Sequence, residues 1–251
     1  MALLRLESLH KRFGGLKAVN DVSFGVERGA IKAVIGPNGA GKTTLFNLIA
    51  GSLPASSGSI VFKKRQLRRK KPYQIAALGI ARTYQNIKMF NGMTALENVM
   101  VGRHVQSGAG FLSSMFHTPW ARREEKDIRA KSLELLDLLD IADCADVEAT
   151  SLAFGQQRAV ELARALALEP ELILLDEPAA GLNIYETAEV GRLISRIRDL
   201  GITVLLVEHD MSLVMDISDE IIVLSFGEKI AEGLPSEIQN DPEVIKIYLG
   251  E

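Results

Sequence analysis

The residues best suited to chemistry stand in the run GPNGAGKT, Gly36 to Thr43. Glycines at Gly36, Gly39 and Gly41, with Pro37, Asn38 and Ala40 between them, let successive backbone N–H groups turn inward around phosphate oxygens. Lys42 supplies a mobile cation for the β and γ phosphates, and Thr43, followed by Thr44, offers a hydroxyl to Mg2+. The apolar run Ala33 to Ile35 precedes this loop and the helical pattern LFNLIAG follows it, so a positive helix end adds to the anion site. The pattern predicts a nucleoside triphosphate held between a strand and a helix. Hydrolysis further needs a carboxylate that orders the metal and a group that orients or deprotonates water. ELILLDEP supplies both: Asp176, at the carboxyl end of an apolar strand, is placed to organise Mg2+, and Glu177 is the candidate general base. A second apolar strand ends in VEHD, where His209 can meet a γ-phosphate or its developing charge. Glu208 and Asp210 flank it, but successive strand side chains face opposite ways, so the three make no ready metal set.

These groups need a scaffold that brings strand ends to one edge. Short Val, Ile and Leu runs alternating with helical patterns predict an α/β fold with a mixed, largely parallel sheet. Strands are expected at Leu172 to Leu175, Thr203 to Val207 and Ile221 to Leu224, with a helix at Glu186 to Leu200. The opening 30 residues instead give closely spaced alternating strands, Leu3 to Leu9 and Val22 to Val26, which predict a small antiparallel subdomain. Residues 90–151 hold no strong strand run; an amphipathic stretch at Ile128 to Leu139, with Leu135, Leu138 and Leu139 on one face, predicts an inserted helical lobe. The nucleotide-binding core is then 1–89 with 152–251, and Pro235 and Pro242 open two short helices in a C-terminal extension, 233–251.

The 251 residues suit one α/β domain with an attached lobe. No apolar run approaches a bilayer span and no signal-like segment opens the chain, so it is expected to stay inside the cell. One cysteine, Cys144, excludes an internal disulfide and a thiolate zinc site; any metal is held by oxygen. A net charge of −3 suggests no general attraction to nucleic acid or anionic lipid. The local exception, KKRQLRRKKP at Lys63 to Pro72, reads as a solvated loop or hairpin, with a charged partner or lipid surface as the alternative.

In this order the residues resemble the ATPase subunit of ATP-binding-cassette transporters, over essentially the whole chain. The resemblance implies a P-loop cassette fold and adds residue roles. Phe13 in KRFGG matches the aromatic that stacks on adenine, with Val19 joining the nucleotide set. Gln85 in RTYQN matches the glutamine that joins the metal site to the helical lobe. LAFGQQR matches the signature that acts on ATP held by an opposite subunit, here Ala153, Phe154, Gly155 and Gln156, and His209 matches the switch histidine. A usual signature has serine where this chain has Ala153 and glycine where it has Phe154, and Asn183 replaces an aspartate. These departures imply a weaker signature site, which suits pairing with a different second ATPase, although a homodimer stays open. The signature, LLDEPAAGLN and the ending EGLPSEIQNDPEVIKIYLGE are most similar to ATPases of branched-chain amino acid importers; a lipopolysaccharide-export ATPase and a non-transport cassette ATPase are the alternatives. The resemblance implies two membrane permeases met through the lobe, with Asn86 to Met93 and Phe111 to Trp120 as contact candidates. It also implies a peripheral place on the inner face of the cell membrane, and no nucleic acid.

Overall fold

The computed structural model describes residues 2–85, 87–103 and 119–249, which divide into two compact units, Met1–Arg82 with Glu171–Glu251, and Thr83–Pro170.

The first unit is built on two sheets. Strands β1 (Ala2–Phe13), β2 (Leu16–Glu27), β4 (Ser57–Phe62) and β5 (Arg65–Gln66) form an antiparallel sheet in the order β2-β1-β4-β5. Strands β3 (Ile31–Ile35), β6 (Ile80–Arg82), β7 (Leu172–Asp176), β8 (Thr203–Val207), β9 (Glu220–Ser225) and β10 (Glu228–Gly233) form the second, in the order β10-β9-β3-β8-β7-β6. All its pairings are parallel except that of β10 with β9. Strands β3, β7 and β8 are buried along their whole length, which is why they read as near-continuous apolar runs. Strand β3 starts earlier than the run Ala33 to Ile35 because Lys32 is satisfied inside. Its ammonium donates to Gly25 O at 2.7 Å and to Glu220 at 2.8 Å, and also pairs with Glu232.

Alternate residues of the second sheet enter different cores. Val34, Leu174, Leu205, Val207 and Leu224 pack with Leu45 and Phe46 of helix α1 (Lys42–Ile49) and with Leu4, Leu6 and Leu9 of β1. Ala33, Ile35, Ile221 and Val223 face the other way, toward Val214, Ile238 and Val244. Each fully buried Val, Leu or Ile contributes about 1.5–3 kcal/mol. A short helix α2 (Pro72–Ala76) follows β5.

The second unit holds helices α3 (Ala95–Arg103), α4 (Pro119–Leu138) and α5 (Phe154–Leu166). Gly102 lets α3 press on α5: a Cβ there would stand 2.3 Å from the Arg164 carbonyl oxygen. This contact brings Phe154–Leu166 into the helical unit, which is therefore wider than 90–151. The buried stripe of α4 is Ile128, Ser132 and Leu136, continued by Leu139 just past its end, whereas Leu135 and Leu138 are only half-buried. The polar Ser132 sits in that stripe and hides the true period from the sequence.

The first unit resumes with α6 (Ile184–Asp199), α7 (Met211–Ile217), α8 (Pro235–Gln239) and α9 (Pro242–Leu249). No helix among the described residues is long and apolar enough to cross a membrane.

Candidate active site

Gly36 to Gly41 join β3 to α1, so the loop leaves the carboxyl edge of the second sheet at its middle. Gly41 adopts φ 102° as the residue before α1, and a Cβ there would meet Ala18 O at 2.3 Å. The loop is braced from β9–β10, where Gly227 N donates to Ala40 O at 3.0 Å, and from α9, where the Tyr248 hydroxyl pairs with the Gly36 backbone. Asn38, Gly39 and Thr43 stay exposed, while Lys42 is buried and its ammonium donates to Gly36 O at 2.6 Å and Pro37 O at 3.1 Å. Burial lowers the Lys42 ammonium below its ordinary value; the charges of Glu177 and Asp176 oppose that shift, in that order. The cation of the loop therefore feels both Asp176, which ends β7, and Glu177, which follows it.

Asp176 ends β7 with its side chain buried. Arg82, at the end of the neighbouring β6, donates to its Oδ2 at 2.9 Å and to Asn47 Oδ1 of α1 at 2.7 Å. No motif marks Arg82 in the sequence; only strand pairing reveals it. Glu177 follows with φ 50°, a left-handed backbone for a non-glycine residue. Its N–H donates to Val207 O at 2.9 Å, which ties the acid to β8. Beyond β8, His209 Nδ1 lies 4.0 Å from Glu177 Oε2, so the structure brings these two residues together. Glu208 is fully buried and accepts from Ala179 N at 2.8 Å, His209 N at 2.8 Å and Asp210 N at 3.3 Å. Asp210 caps α7 by accepting from Leu213 N at 3.0 Å. Both carboxylates are engaged with backbone N–H groups around His209.

Phe13 is half exposed at the end of β1, with Lys11 Nζ 4.9 Å from its ring centre. Val19, in contrast, lies in the core, and it is its neighbour Ala18 that abuts Gly41. Thr44 is the half-buried third residue of α1. Asn183 caps α6, accepting from Tyr185 N at 2.9 Å and Glu186 N at 3.1 Å. An asparagine performs this cap as well as an aspartate does.

The helical unit carries the other candidates. Gln85 is exposed, and its carbonyl accepts from Arg158 Nη2 at 3.3 Å. Arg158 also donates to Tyr84 O at 3.1 Å and pairs with Glu161 at 3.1 Å, while Tyr84 N donates to Glu161 at 3.2 Å. The signature helix thus grips the backbone that presents Gln85. Burial pushes the Glu161 carboxyl above its ordinary value, against the pull of Tyr84 N–H and Arg158. At the start of α5, Ala153 can offer no side-chain cap, and the Gln156 amide oxygen accepts from its N–H at 3.1 Å instead. Phe154 is half exposed and Gly155 follows on the first turn. Within 87–93, Phe90 and Met93 are exposed, and buried Asn98 accepts from Phe90 N at 2.9 Å and donates to Thr94 O at 3.0 Å. Asn86, and Phe111 to Thr118 with the side chains of Pro119 and Trp120, lie outside what the structure describes.

The profile of the ABC transporter family matches residues 19–180, and that of the branched-chain amino acid ATP-binding cassette transporter matches 228–251. The chain is 44% identical to the high-affinity branched-chain amino acid transport ATP-binding protein LivG of Salmonella typhimurium, covering 99% of this chain and 98% of that one. It is 43% identical to BraF of Pseudomonas aeruginosa, with the same coverage. A crystal structure of an ABC transporter's ATP-binding cassette in its ADP conformation matches all of both chains with a TM-score of 0.87 at 35% identity.

Proposed function

Since this chain belongs to the ABC transporter family of ATP-binding subunits, we propose that it drives an importer of branched-chain or related amino acids by binding and hydrolysing ATP. The observation that carries the reading is the phosphate loop running into α1, with Asp176 held by Arg82 at 2.9 Å and Glu177 4.0 Å from His209, in a chain similar over almost its whole length to importer ATPases. Backbone N–H groups of Gly39 to Thr44 and the Lys42 ammonium hold the phosphates, and Phe13 offers its exposed face to adenine. Glu177 accepts a proton from the attacking water while His209 steadies the charge that develops on the γ-phosphate. The donors present, a buried carboxylate and an exposed hydroxyl, are the hard oxygens Mg2+ prefers. An ion there would rest on the Thr43 hydroxyl, Asp176, water and phosphate oxygens, the sparse protein ligation Mg2+ favours. Bound, it neutralises charge on the β and γ phosphates.

Two partner types complete the reading. Ala153, Phe154, Gly155 and Gln156 serve ATP held by a second, different ATPase subunit. The nearly fully exposed Ile184 and Tyr185, directly after Asn183, offer apolar surface for that subunit. Phe90 and Met93 serve permease helices, which keeps the chain peripheral on the inner membrane face. Reconstituting the chain with its permeases and second ATPase in proteoliposomes tests this. ATP should drive uptake of labelled leucine, isoleucine or valine, and Glu177→Gln should remove uptake and most hydrolysis while ATP still binds. Uptake that survives Glu177→Gln, or hydrolysis with no amino acid accumulating, would sink the proposal.

A further inference from the structure

From Lys63 to Lys71 the chain places seven cations in nine positions, Lys63, Lys64, Arg65, Arg68, Arg69, Lys70 and Lys71, although its net charge is −3. Lys63 and Lys64, at φ 50° and 63°, form the two-residue turn joining β4 to β5, which is the outer strand of its sheet. The backbone beneath is fixed. Phe62 pairs with Arg65, Gln66 Oε1 accepts from Ile60 N at 3.1 Å, Leu67 is buried, and Lys70 N donates to Leu67 O at 2.9 Å. All seven cations but the half-buried Lys70 are exposed, and so is Tyr73 just beyond. Among the described residues Lys63 pairs with Glu171, and no carboxylate pairs with the other six.

Six unneutralised cations on a rigid ridge repel one another, a cost that folding alone does not repay. We propose that this ridge docks on an anionic phospholipid surface, its cations meeting phosphate headgroups and Tyr73 lying at the interface. The ridge's charge is complementary to anionic headgroups, and the exposed Tyr73 is of the type that settles at a membrane interface, whereas the net charge of −3 disfavours a long nucleic acid. The inference rests on the transporter reading, which brings the chain to a membrane; the ridge then adds a second hold beside the permeases.

Co-sedimentation of the purified chain with vesicles tests it. Binding is expected to mixed phosphatidylglycerol and phosphatidylcholine vesicles but not to pure phosphatidylcholine, and to fade as salt rises. The combined change Lys64→Gln, Arg65→Gln, Arg68→Gln and Arg69→Gln should cut partitioning at least about tenfold, with Tm held or raised as the repulsion is relieved and ATP affinity unchanged. The set Arg65→Lys, Arg68→Lys and Arg69→Lys should retain binding. Equal binding to neutral vesicles, no loss in the glutamine variant, or a preference for duplex DNA or RNA over vesicles at the same salt would overturn the proposal. ATP binding, measured in parallel, reports on the ATPase reading independently.

Discussion

Arg82 fixes the orientation of the Asp176 carboxylate through its hydrogen bond to Oδ2 at 2.9 Å. Its guanidinium is itself oriented by Asn47 and lies 5.9 Å from the Phe46 ring centre, so the clamp on Asp176 is rigid. Groups that orient a metal's ligand, without touching the metal, typically matter 10- to 100-fold. We therefore expect Arg82→Met to raise the Mg2+ concentration for half-maximal ATPase activity by about tenfold or more, with Arg82→Lys recovering only part. A Mg2+ titration at fixed ATP reads this, and an unchanged midpoint refutes it. Glu208 offers a stability counterpart. Glu208→Ala leaves the N–H groups of Ala179, His209 and Asp210 without this acceptor, at about 1–3 kcal/mol for each group left buried and unsatisfied. Thermal melts measure the loss. At this scale the sequence singled out Lys42, Asp176 and His209 because their residue types suit phosphate, metal or water. It gave no hint of the partners of Arg82 and Glu208, because these come from strands and turns distant along the chain.

For elements, legibility followed periodicity. Strand β8 stands at Thr203–Val207, where its apolar run predicts it, because a buried central strand has no polar face to blur its ends. Strands β4, β5 and β10 carry exposed or half-buried residues and gave no such run. Strand β6 is three residues long, too short for a periodic signal. The turn from β3 into α1 tolerates only a residue without a side chain at Gly41, so Gly41→Ala should weaken ATP binding by more than tenfold (~1.4 kcal/mol or more), read by nucleotide titration. The grip of α5 on the Gln85 segment yields a pH signature. The folded state holds the Glu161 proton more tightly than the unfolded chain does. The stability this provides is therefore complete below the ordinary value near 4.5 and is lost as pH rises through the folded value. Glu161→Gln cannot titrate, so wild type should fare best against it at the acid end of a series of Tm measurements. A gap that is flat with pH would refute this account.

At the scale of the whole molecule, the chain is one contributor to a composite machine. A signature without a serine hydroxyl predicts that two ATP sites in a heterodimer are unequal. Glu177→Gln in this chain and the matching change in its partner should therefore cost different fractions of the ATPase rate, and equal losses would contradict the asymmetry. The strand order has a consequence in time. Strand β3, which launches the phosphate loop, lies between β9 and β8, yet both are encoded roughly 170 to 190 residues later. During synthesis at about 5–20 residues per second, the loop's strand leaves the ribosome and waits on the order of ten to thirty seconds for either neighbour. Until then the nascent chain has a phosphate loop sequence but no sheet to hold it, so ATP cannot stabilise the emerging protein, and an apolar strand needs shelter throughout that interval.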